Sequence, residues 1–154
     1  MKKNILFILL TILFAIPSFA QKKSHQEKKK EIIEFKTNFI ADEMELKDDV
    51  RKKFIEVYTQ MENERRAVFK QMKQIEKDIK NNKNATEADY DKATKETNQA
   101  KRKMADIEAS YEKKFATFLT KKQIYKMKEA EEKFIKTMRE CKEKKRSERK
   151  ASQQ

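Results

Sequence analysis

Glycine and tryptophan are missing from all 154 residues, and proline occurs once, at Pro17. Tight β-hairpins draw heavily on glycine or proline at their turns, so the composition points away from a sheet protein. Phosphate-cradling loops need glycine for close backbone approach, and neither a P-loop nor a dinucleotide fingerprint can form without it. Histidine and cysteine occur once each, as His25 and Cys141. A transition-metal site wants several such ligands converging, and these two could meet only across subunits. A general base must also be held in position, whereas His25 lies in a polar stretch expected to be a mobile tail. Cys141 has no second histidine to activate it. The carboxylates are scattered through mixed-charge faces of the kind that solvate a helix. The expectation is therefore no enzyme, no cofactor and no specific metal site. A single cysteine cannot form an internal disulfide, so Cys141 either stays free, as expected, or pairs with Cys141 of another chain.

Charge is what the chain has in abundance. Asp, Glu, Lys and Arg make up 42% of it, and 39 basic against 26 acidic residues give a formal net charge of +13. The first 20 residues read as a cleaved signal peptide. Lys2 and Lys3 form a positive start, Ile5 to Ile16 an apolar run broken only by Thr11, and Ser18-Phe19-Ala20 a small-residue cleavage site after Pro17. That run is shorter than the roughly 20 residues needed to span a bilayer. The mature chain would begin at Gln21, with 134 residues, two fewer lysines and a charge of +11. It is expected to be exported, soluble and without a membrane span, as one domain.

High charge without glycine or proline predicts long solvated helices. After a mobile tail over residues 21–30, a short amphipathic helix is expected from Lys30 to Met44, carrying Ile32, Phe35 and Phe39 with Ile33, Ile40 and Met44 beside them. A second runs from Asp48 to Lys80, about 50 Å at 1.5 Å per residue. Its seam is Phe54, Tyr58, Met61, Arg65, Val68, Met72, Ile75 and Ile79. Steps alternate between four and three, which is heptad spacing. Asn81-Asn82-Lys83-Asn84 reads as a loop, and Thr86 with Asp89 as the start of a third helix. The third seam is Tyr90, Ala93, Thr97, Ala100, Met104, Ile107, Tyr111 and Phe118, interrupted by Lys114. Two such helices joined by a short loop predict a long antiparallel hairpin. A fourth helix carries Ile124, Met127, Phe134 and Met138 and frays into a basic tail over residues 142–154. Single apolar stripes with no broad shared core imply a thin layer, which in turn implies a homodimer.

Leu119-Thr120-Lys121-Lys122-Gln123 marks the corner into that fourth helix. Thr120 suits an N-cap, Gln123 can return a bond to complete a capping box, and Leu119 with Ile124 has the spacing of a hydrophobic staple. Leu-Thr-x-x-Gln between helices of a small exported chain resembles the motif of the Spy/CpxP family of periplasmic proteins. A second copy would fall at Leu46-Lys47-Asp48-Asp49-Val50, which keeps only the leucine. Leu46 and Leu119 are the only leucines after residue 20. The resemblance implies a curved antiparallel all-α dimer and a holding chaperone that works without ATP.

Its client surface would be the basic stripe of Arg66, Lys70, Lys73, Lys77 and Lys80, with Arg65 and Phe69. Such a surface attracts unfolded envelope proteins by charge and then offers soft apolar contact. The alternative is a regulator that binds a sensor-kinase domain of an envelope stress response. A basic surface for anionic lipid is a third reading, and nucleic acid is not an expected partner of an exported chain.

Overall fold

In a computed structural model of the chain, residues 24–152 are described, and the segment expected to be a signal peptide lies outside them. Two compact units divide the chain after Lys30, and the packing below is that of the described residues of the second unit, 31–152. The described residues are all-helical, without strands. The helices are α1 (His25–Glu43), α2 (Asp48–Asn81), α3 (Glu87–Phe115) and α4 (Lys121–Ala151). α2 and α3 pack as a helical hairpin across a five-residue loop.

Two ends differ from expectation. α1 begins inside the stretch expected as a tail, because Ser24 and Glu27 form a capping box. The Ser24 N–H donates to Glu27 Oε2 at 2.7 Å, and the Glu27 N–H donates to Ser24 Oγ at 3.2 Å. α4 continues through the basic segment to Ala151 instead of fraying after Cys141. Lys, Arg and Glu are good helix formers, and nothing from residue 142 to 151 breaks the backbone pattern.

Buried side chains come from one half of the hairpin and from the helices that flank it. Phe54, Tyr58 and Phe115 lie centroid to centroid at 5.2, 5.7 and 6.4 Å. On α4, Phe134 sits between Phe35 at 5.9 Å and Phe39 at 5.5 Å. With Ile40, Met44, Leu46, Met61, Val68, Ile107, Tyr111, Leu119 and Met127 these form one cluster. So the flanking helices share a common core with the hairpin, contrary to the expectation of separate stripes. Each fully buried Phe contributes about 1.5–3 kcal/mol, which makes the aromatic layer the main adhesive. The α3 seam also departs from expectation near its end. It steps from Tyr111 to fully buried Phe115, which carries the line that Lys114 was expected to break.

Toward the loop the burial fades. Met72, Ile75, Ile79, Ala93 and Thr97 are half-buried, and Tyr90, expected in the seam, is 51% exposed. An open groove of about 210 Å³ lies beside Ile75, Ile79 and Ala93. The hairpin thus has a covered half and an uncovered half.

The two corners are built differently. At the first, the Glu45 N–H donates to the Asp42 carbonyl and the Leu46 N–H to the Ala41 carbonyl, both at 3.0 Å. Glu45 has φ 58°. These are the two bonds and the left-handed residue of a Schellman ending, with Leu46 and Ala41 as its apolar contact. α2 then begins at Lys47 without a side-chain cap. Arg51 ties the corner instead, reaching Asp42 Oδ1 at 2.6 Å and Asn38 Oδ1 at 3.1 Å. At the second corner the Thr120 N–H donates to Gln123 Oε1 at 2.9 Å, and the Gln123 N–H donates to Thr120 Oγ1 at 3.2 Å. Leu119 is buried and Ile124 packs against the core, as a staple requires.

Candidate binding surface

The heptad seam of α2 contains one charged residue, Arg65, and its surroundings explain why. Its guanidinium lies 3.3 Å from Glu62, 3.4 Å from Glu131 on α4 and 3.4 Å from Glu108 on α3. Lys36 of α1 completes the cluster at 3.0 Å from Glu62 and 4.0 Å from Glu131. The Tyr58 hydroxyl donates to Glu131 Oε1 at 2.5 Å. All four helices therefore contribute to one ionic cluster beside the aromatic core.

Burial, and then the charges of Glu131 and Glu62, push the Tyr58 hydroxyl far above the usual tyrosine range, so it remains a neutral donor. Desolvation works against the Arg65 charge, but Glu62, Glu131 and Glu108 outweigh it and raise its pKa above the ordinary value. No buried side-chain nitrogen or oxygen among the described residues lacks a hydrogen-bond partner. Removing one member of such a cluster would leave a buried charge without its partner. Arg65, expected with the client-binding residues, is thus engaged inside the fold.

The remaining stripe residues sit on the outside of α2. Lys70, Lys73, Lys77 and Lys80 are exposed and Arg66 is half-buried. Phe69 is 54% exposed, a large apolar side chain in the middle of the row. Lys73 Nζ stands 5.8 Å from its ring centroid and 2.6 Å from Glu76. Hydrogen bonding from Lys73, more than its charge alone, holds the Glu76 carboxyl below the usual range. Glu76 is the one carboxylate paired with the row among the described residues. Lys73, Lys77 and Lys80 also line a shallow depression with Glu76 and Asn81. The spacing of four and three placed these cations on one face, and the structure keeps them there. Spacing put Arg65 in the apolar seam of α2 but could not show what neutralises it there, because Glu108 and Glu131 are remote in sequence.

Among the described residues no group of three His, Cys, Asp or Glu could hold a metal ion. Cys141 is a half-buried free thiol. No described helix is long and apolar enough to cross a membrane. A scan against models of known protein families and searches of curated proteins and solved structures found no match to the chain.

Proposed function

We propose that the chain is an exported, ATP-independent holding chaperone that captures unfolded proteins on the outer face of α2. The observation that carries this reading is Phe69, exposed among Arg66, Lys70, Lys73 and Lys77 with one acidic partner to neutralise the row. Long-range attraction brings a client to such a face, and the ring and stems supply adaptable apolar contact. Release is by dissociation, without a nucleotide site. Leu119-Thr120-x-x-Gln123 and its resemblance to the Spy/CpxP motif support the same reading. We include in it association of two copies, since Ile32, Val50 and Tyr90 are large apolar side chains left in water. Sedimentation of the mature protein at micromolar concentration is expected to show a dimer with or without reductant.

Suppression of aggregation of an acidic denatured client, measured without nucleotide, tests the surface. Reversal of Arg66, Lys70, Lys73 and Lys77 to Glu should slow capture and flatten its salt dependence, because exposed charges are screened beyond about 8 Å at physiological ionic strength. Phe69→Ser should weaken capture while leaving the salt dependence in place. A folded reversal variant that protects the client as well as the parent at low salt would overturn the proposal. A regulator that binds a sensor domain would then be the better reading.

A further inference from the structure

The last two turns and more of α4 form a second cationic surface, separate from the row on α2. Residues 142–152 are all exposed, and none of residues 142–150 makes an ion pair among the described residues. At about 100° per residue, Arg139, Lys142, Lys145, Arg146, Arg149 and Lys150 fall within an arc of about 140°. Glu140, Glu143 and Glu148 all lie outside that arc. Two apolar side chains fall inside it, Ile135 at 46% exposed and Met138 at 41% exposed. The buried residues Met127 and Phe134 fall at or just beyond the Lys145 edge of that arc and Ala130 farther round, so the cationic face continues one edge of the core-facing side past the point where the core ends. One face of a continuous helix therefore presents six cations and two exposed apolar groups, with Glu140 and Glu148 turned away and Glu143 at its margin.

From this arrangement we infer that residues 135–151 of α4 form a docking face for the surface of a bilayer containing anionic phospholipid. The charge is complementary to a layer of phosphate headgroups, and cations near such a layer are each attracted by its surface potential. A flat layer can engage a one-sided face along its length. Ile135 and Met138 can enter the boundary between headgroups and acyl chains, as the apolar side of an interfacial helix does. A nucleic acid offers less to the same face. The arc carries no aromatic residue on which a base could stack, and a phosphodiester backbone has nothing apolar for Ile135 and Met138. Binding here would hold the protein at a membrane surface and leave the α2 face available, so it stands apart from the chaperone reading.

Co-sedimentation of the mature protein with vesicles tests the inference. Vesicles of phosphatidylcholine with phosphatidylglycerol should bind it, vesicles of phosphatidylcholine alone should not, and added salt should weaken the binding. K142E/K145E/R146E/R149E should lower vesicle affinity about tenfold or more. I135S/M138S should keep the low-salt binding and remove the part that survives high salt. Circular dichroism checks that the variants are folded. Should the reversal variant not fold, K145Q/R146Q applies the same test with a smaller expected loss. Unchanged aggregation suppression by a folded α4 variant that has lost vesicle binding would confirm that the two surfaces act separately. Parent-like vesicle binding by the charge variants, or equal binding to both vesicle types, would overturn the inference. So would single-stranded DNA binding more tightly than anionic vesicles at the same salt.

Discussion

At Leu119 the chain enters α4 through a reciprocal pair of bonds between Thr120 and Gln123. At Leu46 it enters α2 past Lys47, which has no acceptor to offer, and the order comes from how α1 ended. Both leucines are buried to the same degree, 5% and 6% exposed. What the corners share is an apolar anchor, and what differs is where the backbone groups find partners. A helix start leaves N–H groups unpaired and a helix end leaves carbonyls unpaired. The second corner satisfies the start of its helix with side chains. The first satisfies the end of its helix with backbone, at the expense of a left-handed glutamate.

The largest effects should come from the shared anchor. Leu46→Ala and Leu119→Ala should each cost about 2–5 kcal/mol in chemical denaturation, as buried leucines do. A neutral result at either position would show that the two corners are not equivalent in packing. Next, the caps should separate them. Thr120→Ala should cost about 1 kcal/mol, while Lys47→Ala should be close to neutral. Comparable in size and opposite in sign, Glu45→Gly should raise stability by up to about 1 kcal/mol, because a left-handed conformation penalises any residue with a Cβ. A destabilised Glu45→Gly protein would mean that the left-handed turn carries no strain.

The smallest effect distinguishes two capping boxes that look alike. Asp89 returns the bond at the start of α3, whereas Gln123 does so at α4. Bonds from the Thr86 backbone N–H and hydroxyl hold the Asp89 carboxyl below the usual aspartate range. A lowered acid stabilises the fold at pH above its unfolded value, and that contribution disappears as pH falls through the folded value. Acid should therefore loosen the first turn of α3 and leave the first turn of α4 unchanged, since Gln123 does not titrate. Amide chemical shifts of Asp89 and Gln123 followed from neutral pH into the acid range would show it. Parallel behaviour of the two amides would defeat the comparison.

How much of this was legible follows the same physics. Local signals were readable: the seam of α2, the Thr86–Asp89 and Thr120–Gln123 boxes, and the loop between α2 and α3. Ser24-His25-Gln26-Glu27 has the same Ser-x-x-Glu spacing, but a run of polar residues concealed it. The length of α4 was hidden because its apolar line stops at Met138 while its helix propensity does not. The left-handed turn at Glu45 had no glycine to announce it. On the candidate surface, α2 periodicity set the lysines in one row, and all four are exposed. It set Arg65 in the seam but could not supply its partners, two of which come from α3 and α4.

The ion pair between Glu43 and Lys133 joins residues 90 positions apart, and the Tyr58–Glu131 bond joins residues 73 apart. By contrast, α2 and α3 meet across a loop of five residues. Closing a chain segment costs more entropy as it lengthens, and folding rates favour contacts between near neighbours. These costs favour an order in which the hairpin closes first and α1 and α4 dock onto it afterwards. The aromatic layer and the four-helix ionic cluster are completed only in that last step. A folding chain would pass through a stage in which its own core aromatics are open to the surrounding water.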